Sequence, residues 1–296
     1  MNKKVIFKGA ATAVITPFND MGEVDYGELT RILEFQILEG IDALVLCGTT
    51  GEAPTLTDVE HQRMIAHAAK VIDKRAPLIC GTGSNDTAHA VMMSKCAKEN
   101  GADALLLVTP YYNRTTNEGL IKSYLKIADS VDIPMIIYNV PGRTTVDIPV
   151  EVYRALSKHP NLVGVKEASG SIGKFARLCH EMGDDFSVYT GNDDNLISTL
   201  AVGGSGVISV TSNIMPKYIH DICQKWFDRD YDSALDMHLK LCELNSLLFS
   251  EVNPIPVKAA MNMLGFKART LRLPLVEMTP SGKEKLRKEL KKLNII

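Results

Sequence analysis

Gly40-Ile41-Asp42-Ala43-Leu44-Val45-Leu46 and Gly101-Ala102-Asp103-Ala104-Leu105-Leu106-Leu107 are two copies of one pattern, in which a glycine and an aspartate lead into a short apolar run, set 61 residues apart. That distance is about two βα units. Runs of the same kind recur at Ala13-Val14-Ile15, Leu78-Ile79-Cys80, Met135 to Tyr138, Leu162 to Val165, Ser187 to Tyr189 and Gly206 to Val210, so that eight candidate strands occupy the first two-thirds of the chain. They are nearly continuous apolar runs, the pattern of strands covered on both faces. Helical periodicity separates them. Leu29, Ile32, Leu33, Phe35, Gln36 and Ile37 follow the opening signal Asp25 and Glu28 and stop at Gly40, and Thr57-Asp58-Val59-Glu60 is a capping box. Strand, helix, strand repeated eightfold predicts a parallel (β/α)8 TIM barrel. The alternative, an open doubly wound sheet, lacks the G-x-G-x-x-G turn after its first strand.

Beyond Met215-Pro216 the apolar positions Ile219, Ile222, Trp226, Leu235, Leu239, Leu241, Leu244, Leu247 and Leu248 keep helical spacing, and Pro254, Pro256, Pro274 and Pro280 break the segment into several helices. The expected organisation is a barrel over residues 1–223 and an all-helical extension over 224–296. That extension either covers the barrel or serves an oligomer interface.

With 296 residues, 45% hydrophobic and 23% charged, the composition excludes disorder, collagen and a disulfide mini-protein. A formal net charge of −2 leaves no surplus to neutralise nucleic acid or an anionic membrane. The six cysteines form no C-x-x-C pair and lie mostly among apolar residues, as small hydrophobes in a reducing compartment. Lys8 interrupts Val5-Ile6-Phe7 before a signal-peptide core can form, and no run approaches the ~18 apolar residues of a membrane span. A soluble cytoplasmic protein is expected.

In such barrels the active site lies at the carboxyl ends of the strands. The sixth run ends Val165-Lys166-Glu167-Ala168-Ser169. A lysine desolvated there loses its proton more easily and becomes a nucleophile; otherwise it snorkels to the surface or pairs with a carboxylate. The fifth run ends Tyr138-Asn139-Val140-Pro141-Gly142-Arg143-Thr144, offering a phenol for proton transfer and a guanidinium for a carboxylate, or a packed tyrosine and a solvated arginine. Gly48-Thr49-Thr50-Gly51-Glu52 reads as an anion cradle or as a simple turn. Thr109-Pro110-Tyr111-Tyr112-Asn113, Thr190-Gly191-Asn192-Asp193 and Gly206-Val207-Ile208-Ser209 complete the rim, each weak alone. Together, Lys, Tyr, Thr and Arg on one rim suit an imine-forming enzyme acting on carboxylate substrates.

These five segments, around Thr49, Tyr112, Tyr138, Lys166 and Ile208, closely resemble the pyruvate-dependent class I aldolases over nearly the whole chain. The lysine signature is shared with N-acetylneuraminate lyase and the keto-deoxy-sugar acid aldolases, which remain alternatives. The Tyr-Tyr-Asn and Asn-Val-Pro-Gly-Arg-Thr segments favour the branch that condenses pyruvate with L-aspartate 4-semialdehyde in the diaminopimelate route to lysine. The resemblance implies that Lys166 forms a Schiff base with pyruvate and that Tyr138 moves protons through a relay of Thr49 and Tyr112, completed by the tyrosine of a neighbouring subunit. By the same resemblance Thr50, the Ile208 main chain and Gly191 hold the keto acid, and Arg143 receives the aldehyde's carboxylate. It further implies a homotetramer built as a dimer of dimers, and chemistry that needs neither metal nor organic cofactor. A different class, a keto-acid-binding barrel without catalysis, would lack a relay member, and none is missing.

His61 and His67 lie six apart, off the spacing of a helical zinc pair, and are expected as exposed helix residues. In feedback-inhibited relatives a lysine effector sits in an interface pocket containing a Glu, a Ser and two His. By the resemblance this chain keeps His61, Asn85 and Tyr111 there, but carries His89 for the Glu, Ala53 for the Ser and Asp58 for one His. Weak or absent inhibition by L-lysine is expected.

Overall fold

The computed structural model describes residues 3–296. Eight parallel strands close into one barrel in chain order: β1 (Gly9–Ala13), β2 (Ala43–Leu46), β3 (Leu78–Gly81), β4 (Ala104–Val108), β5 (Met135–Asn139), β6 (Leu162–Glu167), β7 (Ser187–Thr190) and β8 (Gly206–Ser209), with β1 paired to β8. The echo in the sequence has a structural cause. Gly40 and Gly101 both take left-handed backbone after a helix, at φ +80° and +99°. Asp42 and Asp103 then each accept the main-chain N–H at the start of a neighbouring strand, from Ala10 at 2.8 Å and Leu78 at 3.0 Å.

The first strand lies four residues earlier than the run Ala13-Val14-Ile15 suggested. Close approach to β8 outweighs β-propensity here: a Cβ at Gly206 would sit 1.8 Å from the Gly9 oxygen, so both edges of the closure are glycine. At the other end of β8, Val210 leaves the ladder because its N–H donates to the Asp193 carboxylate at 2.9 Å.

Two apolar layers follow from the alternation of side chains. Inside the barrel, Ala11, Ala43, Val45, Leu106, Ile136 and Ile208 pack, and Phe7 stacked on Tyr189 at 4.3 Å belongs to the same cluster. Outside, strand residues such as Leu44, Leu105, Ile137 and Val165 meet the helices. The helix Tyr26–Leu38 is capped by Asp25 and buries Leu29, Ile32 and Leu33, while Asp58–Ile72 begins with the reciprocal Thr57–Glu60 box. Cutting one of the fully buried leucines to alanine would cost about 2–5 kcal/mol.

Helix Pro216–Phe227 packs on β1 and on the helix Tyr231–Lys240. Residue 223, where the sequence reading ends the barrel, lies inside it and is buried, so this helix as a whole belongs to the barrel's outer layer. The helices Tyr231–Lys240, Cys242–Leu248, Ile255–Met263 and Pro280–Lys292 follow. All six cysteines are free thiols. Among the described residues no helix is long and apolar enough to cross a membrane.

Candidate active site

Lys166 and Tyr138 stand opposite each other in the β5–β6 ladder, both on the inner face near the carboxyl end. The Lys166 ammonium lies over the Tyr138 ring, 4.6 Å from its centroid, and is 6% exposed. Among the described residues no carboxylate comes within ion-pairing distance of it. Burial pushes its pKa down to about 8, opposed by the field of Asp193 and assisted by Arg143. At pH 7 about a tenth of the side chain is then free amine, against roughly one part in three thousand for an ordinary lysine.

Burial raises the Tyr138 phenol, while a hydrogen bond with the Thr49 side chain and the charge of Arg143 pull it back. The phenol thus stays protonated near neutrality. Thr49 belongs to a tight turn closed by Gly51 N–H to Gly48 O at 3.1 Å and Glu52 N–H to Thr49 O at 3.1 Å. Cys47 and Glu52, on either side, hold left-handed backbone at φ +55° and +53° without being glycine. The turn leaves the N–H groups of Thr49 and Thr50 without a protein acceptor among the described residues, an arrangement suited to an anion.

Gly191 packs directly on the lysine: a Cβ there would come within 2.8 Å of the Lys166 Cε. Ile208 is buried in β8, in register with Ala11. Arg143 lies in the short helix Pro141–Thr144 after β5 and donates from Nη2 to the Asn253 oxygen at 3.1 Å. A cavity of about 720 Å³ opens beside these groups, and Thr49, Tyr138, Arg143, Tyr111, His61 and His89 are on its wall. Lys166 and Thr50 adjoin this cavity without lining it.

Of the eight residues singled out in the sequence, the fold brings Lys166, Tyr138, Thr49, Arg143 and Gly191 into one neighbourhood, with Thr50 and Ile208 at its edge. Tyr112 is not brought in. It is 92% exposed at φ +67°, on the loop after β4. His61 departs from expectation as well. It is buried, because helix Asp58–Ile72 turns His61, Met64, Ile65, Ala68 and Ile72 to the core, and its Nε2 has no partner.

Sequence reasoning missed Asn253 and gave no role to Asp193. Asn253 is buried, and its Nδ2 donates to the Thr50 hydroxyl at 3.0 Å. It stands 203 residues from Thr50, and nothing local in the sequence marks it. Asp193 is fully enclosed; it accepts from the Ser209 hydroxyl and from the Val210 and Thr211 N–H groups at 2.9 and 3.3 Å, fixing the end of β8.

A barrel that holds a desolvated lysine unpaired at its rim, against a protonated phenol and beside a cradle for an anion, defines an imine-forming lyase of the class I aldolase type. Residues 6–293 match the dihydrodipicolinate synthetase family, and the chain belongs to that family. It is 50% identical over 292 residues, 98% of each chain, to the 4-hydroxy-tetrahydrodipicolinate synthase of Thermoanaerobacter sp.. Among solved structures it is similar to the dihydrodipicolinate synthase of Aquifex aeolicus, with TM-score 0.95, 43% identity and 98% and 99% of the two chains covered. It is also similar to the synthase of Acinetobacter baumannii, solved with pyruvate, with TM-score 0.96, 41% identity and 99% and 100% covered.

Proposed function

We infer that this protein condenses pyruvate with L-aspartate 4-semialdehyde to 4-hydroxy-tetrahydrodipicolinate, in the diaminopimelate route of lysine biosynthesis. The observation that carries this reading is Lys166, buried without a carboxylate partner against Tyr138. Its free amine attacks C2 of pyruvate, forming the C–N bond. Tyr138 supplies the proton with which the carbinolamine oxygen leaves as water. The iminium draws electrons from the methyl group, so C3 gives up a proton to the tyrosine and becomes an enamine nucleophile. C3 then bonds to the aldehyde carbon, whose oxygen takes the proton. The amino nitrogen of the second substrate attacks C2 and displaces Lys166 as the ring closes.

In this reading the Thr49–Thr50 turn and the Ile208 main chain grip the keto acid's carboxylate, Gly191 leaves room for the imine, and Arg143 holds the aldehyde's carboxylate through its remaining donors. The exposed, left-handed Tyr112 suits a residue that completes the site of a neighbouring copy, in a dimer that pairs into a tetramer. A cytoplasmic location accords with six free thiols. A steady-state assay with pyruvate and a panel of aldehydes tests the assignment: aspartate semialdehyde should exceed sugar-derived aldehydes by at least about a hundredfold in kcat/KM. Preference for a sugar aldehyde would move the protein to another branch of the superfamily.

A further inference from the structure

The pairing of Tyr138 with Lys166 depends on register, and the β5–β6 ladder is irregular. Met135 opposes Leu162, yet Ile136 opposes Gly164, so one residue of β6 is skipped just below the site. A one-residue slip in a strand carries every side chain to the opposite face. Here it would take the lysine out of the barrel. Main-chain pairing four residues long is a weak guard against that, and the next pair up the ladder is unusual.

Asn139 opposes Glu167 one step beyond Tyr138 and Lys166, and by alternation both point out of the barrel. Glu167 is fully buried. Its two carboxylate oxygens accept from Asn139 Nδ2 at 2.9 and 3.0 Å, and Oε1 also accepts from the Ser169 N–H at 2.7 Å. Asn139 is held in turn: its Oδ1 accepts from Ile148 N–H at 3.1 Å and its Nδ2 also reaches Asp147 at 2.8 Å. Lys174, on helix Ile172–Met182, meets Asp147 and lies 3.2 Å from Glu167, which balances the buried charge.

We propose that Asn139 and Glu167 are positioning residues: a polar clamp on the outer face of β5 and β6 that sets the register, and so the contact, of Tyr138 and Lys166 on the inner face. The clamp crosses the same two strands at the adjacent step, so the inner pair cannot shift without breaking bonds to a buried carboxylate, a costly event. Misplacement of reacting groups by about 1 Å can slow turnover a hundredfold. The proposal rests on the imine chemistry assigned above.

A double-mutant cycle on the full-length protein tests it, with rates normalised to folded protein by circular dichroism. Asn139→Ala should lower kcat about 10- to 100-fold, with KM for the aldehyde within about threefold of the parent. Tyr138→Phe alone should cost at least about a hundredfold. If the clamp acts through the tyrosine–lysine pair, the double variant should fall within about threefold of Tyr138→Phe. Glu167→Gln, which keeps the shape and loses the charge, should show a smaller loss and the same non-additivity, and it serves if Asn139→Ala does not fold. Losses that multiply in the cycle, or folded variants with parental kcat, overturn the clamp. Borohydride trapping of pyruvate in the parent separates the two levels: a labelled Lys166 with an additive cycle rejects the clamp alone, whereas an unlabelled parent rejects the imine chemistry and the clamp together.

Discussion

Among the described residues two lysines, Lys166 and Lys258, lie buried, and burial pushes both down to about 8, yet their surroundings give them opposite fates. Lys258, on helix Ile255–Met263, is completely enclosed, and its Nζ meets Glu52 Oε1 at 2.6 Å and the Thr16 carbonyl at 2.8 Å, with the Phe18 ring centroid 4.5 Å away. Glu52 pulls against the desolvation. The ammonium gives two hydrogen bonds and faces a ring, one of its partners being a full countercharge, and the pair ties the helical extension to the strained turn that carries Thr49 and Thr50. Lys166 has the Tyr138 face and, among the described residues, no carboxylate within ion-pairing distance, the Asp193 charge acting on it only from farther off. A depressed pKa thus marks a desolvated amine, while the unused bonding capacity around it decides whether that amine can react.

Lys166→Ala should separate the two most sharply, lowering kcat by at least about a thousandfold while the thermal midpoint stays within a few degrees, since no ion pair is lost. Comparable activity loss from Lys258→Met in folded protein would break the contrast. Lys258→Met should instead act on stability, by about 3–5 kcal/mol in denaturant titration, because it strands the Glu52 charge; adding Glu52→Gln should recover much of that loss.

Arg143→Ala should cost about 10- to 100-fold in kcat/KM for the aldehyde and little in the rate of imine formation with pyruvate, as expected when a charge-assisted contact to the second substrate alone is removed. Equal losses in both steps would assign Arg143 to structure. The rate of imine formation should climb about tenfold from pH 6 to 7, bend near 8 and flatten above it, because the lowered pKa leaves the reactive amine unprotonated on the alkaline side. A limb still rising at pH 9.5 would show that Lys166 is not desolvated in solution.

The smallest effect concerns L-lysine. On the cavity wall His89 Nε2 lies 3.0 Å from Asp58 Oδ1, so this carboxylate, expected from the resemblance to be the nearest substitute for an effector-binding glutamate, already has a partner. Millimolar L-lysine should leave the initial rate unchanged within about twofold; half-inhibition below 1 mM would show that the pocket still accepts an ammonium.

The barrel was legible because apolar runs and helix caps are local signals, and Ala43–Leu46 and Ala104–Val108 fall where their runs do. Gly9–Ala13 was not, since its small residues answer to the closure with β8 rather than to strand propensity. Lys166 and Tyr138 could be found as chemistry-bearing residues at strand ends. Asn253, Lys258 and the outward pair Asn139–Glu167 could not, because each matters through a partner set by tertiary register or by the docking of the extension, and a pattern along the chain carries no trace of that.

Pyruvate added to the full-length protein with borohydride, followed by proteolysis and mass measurement, tests the distinction between the two lysines most directly. The peptide containing Lys166 should carry one three-carbon adduct and the peptide containing Lys258 none. A label on Lys258 or on any other lysine in place of Lys166, or no label at all, would contradict the account.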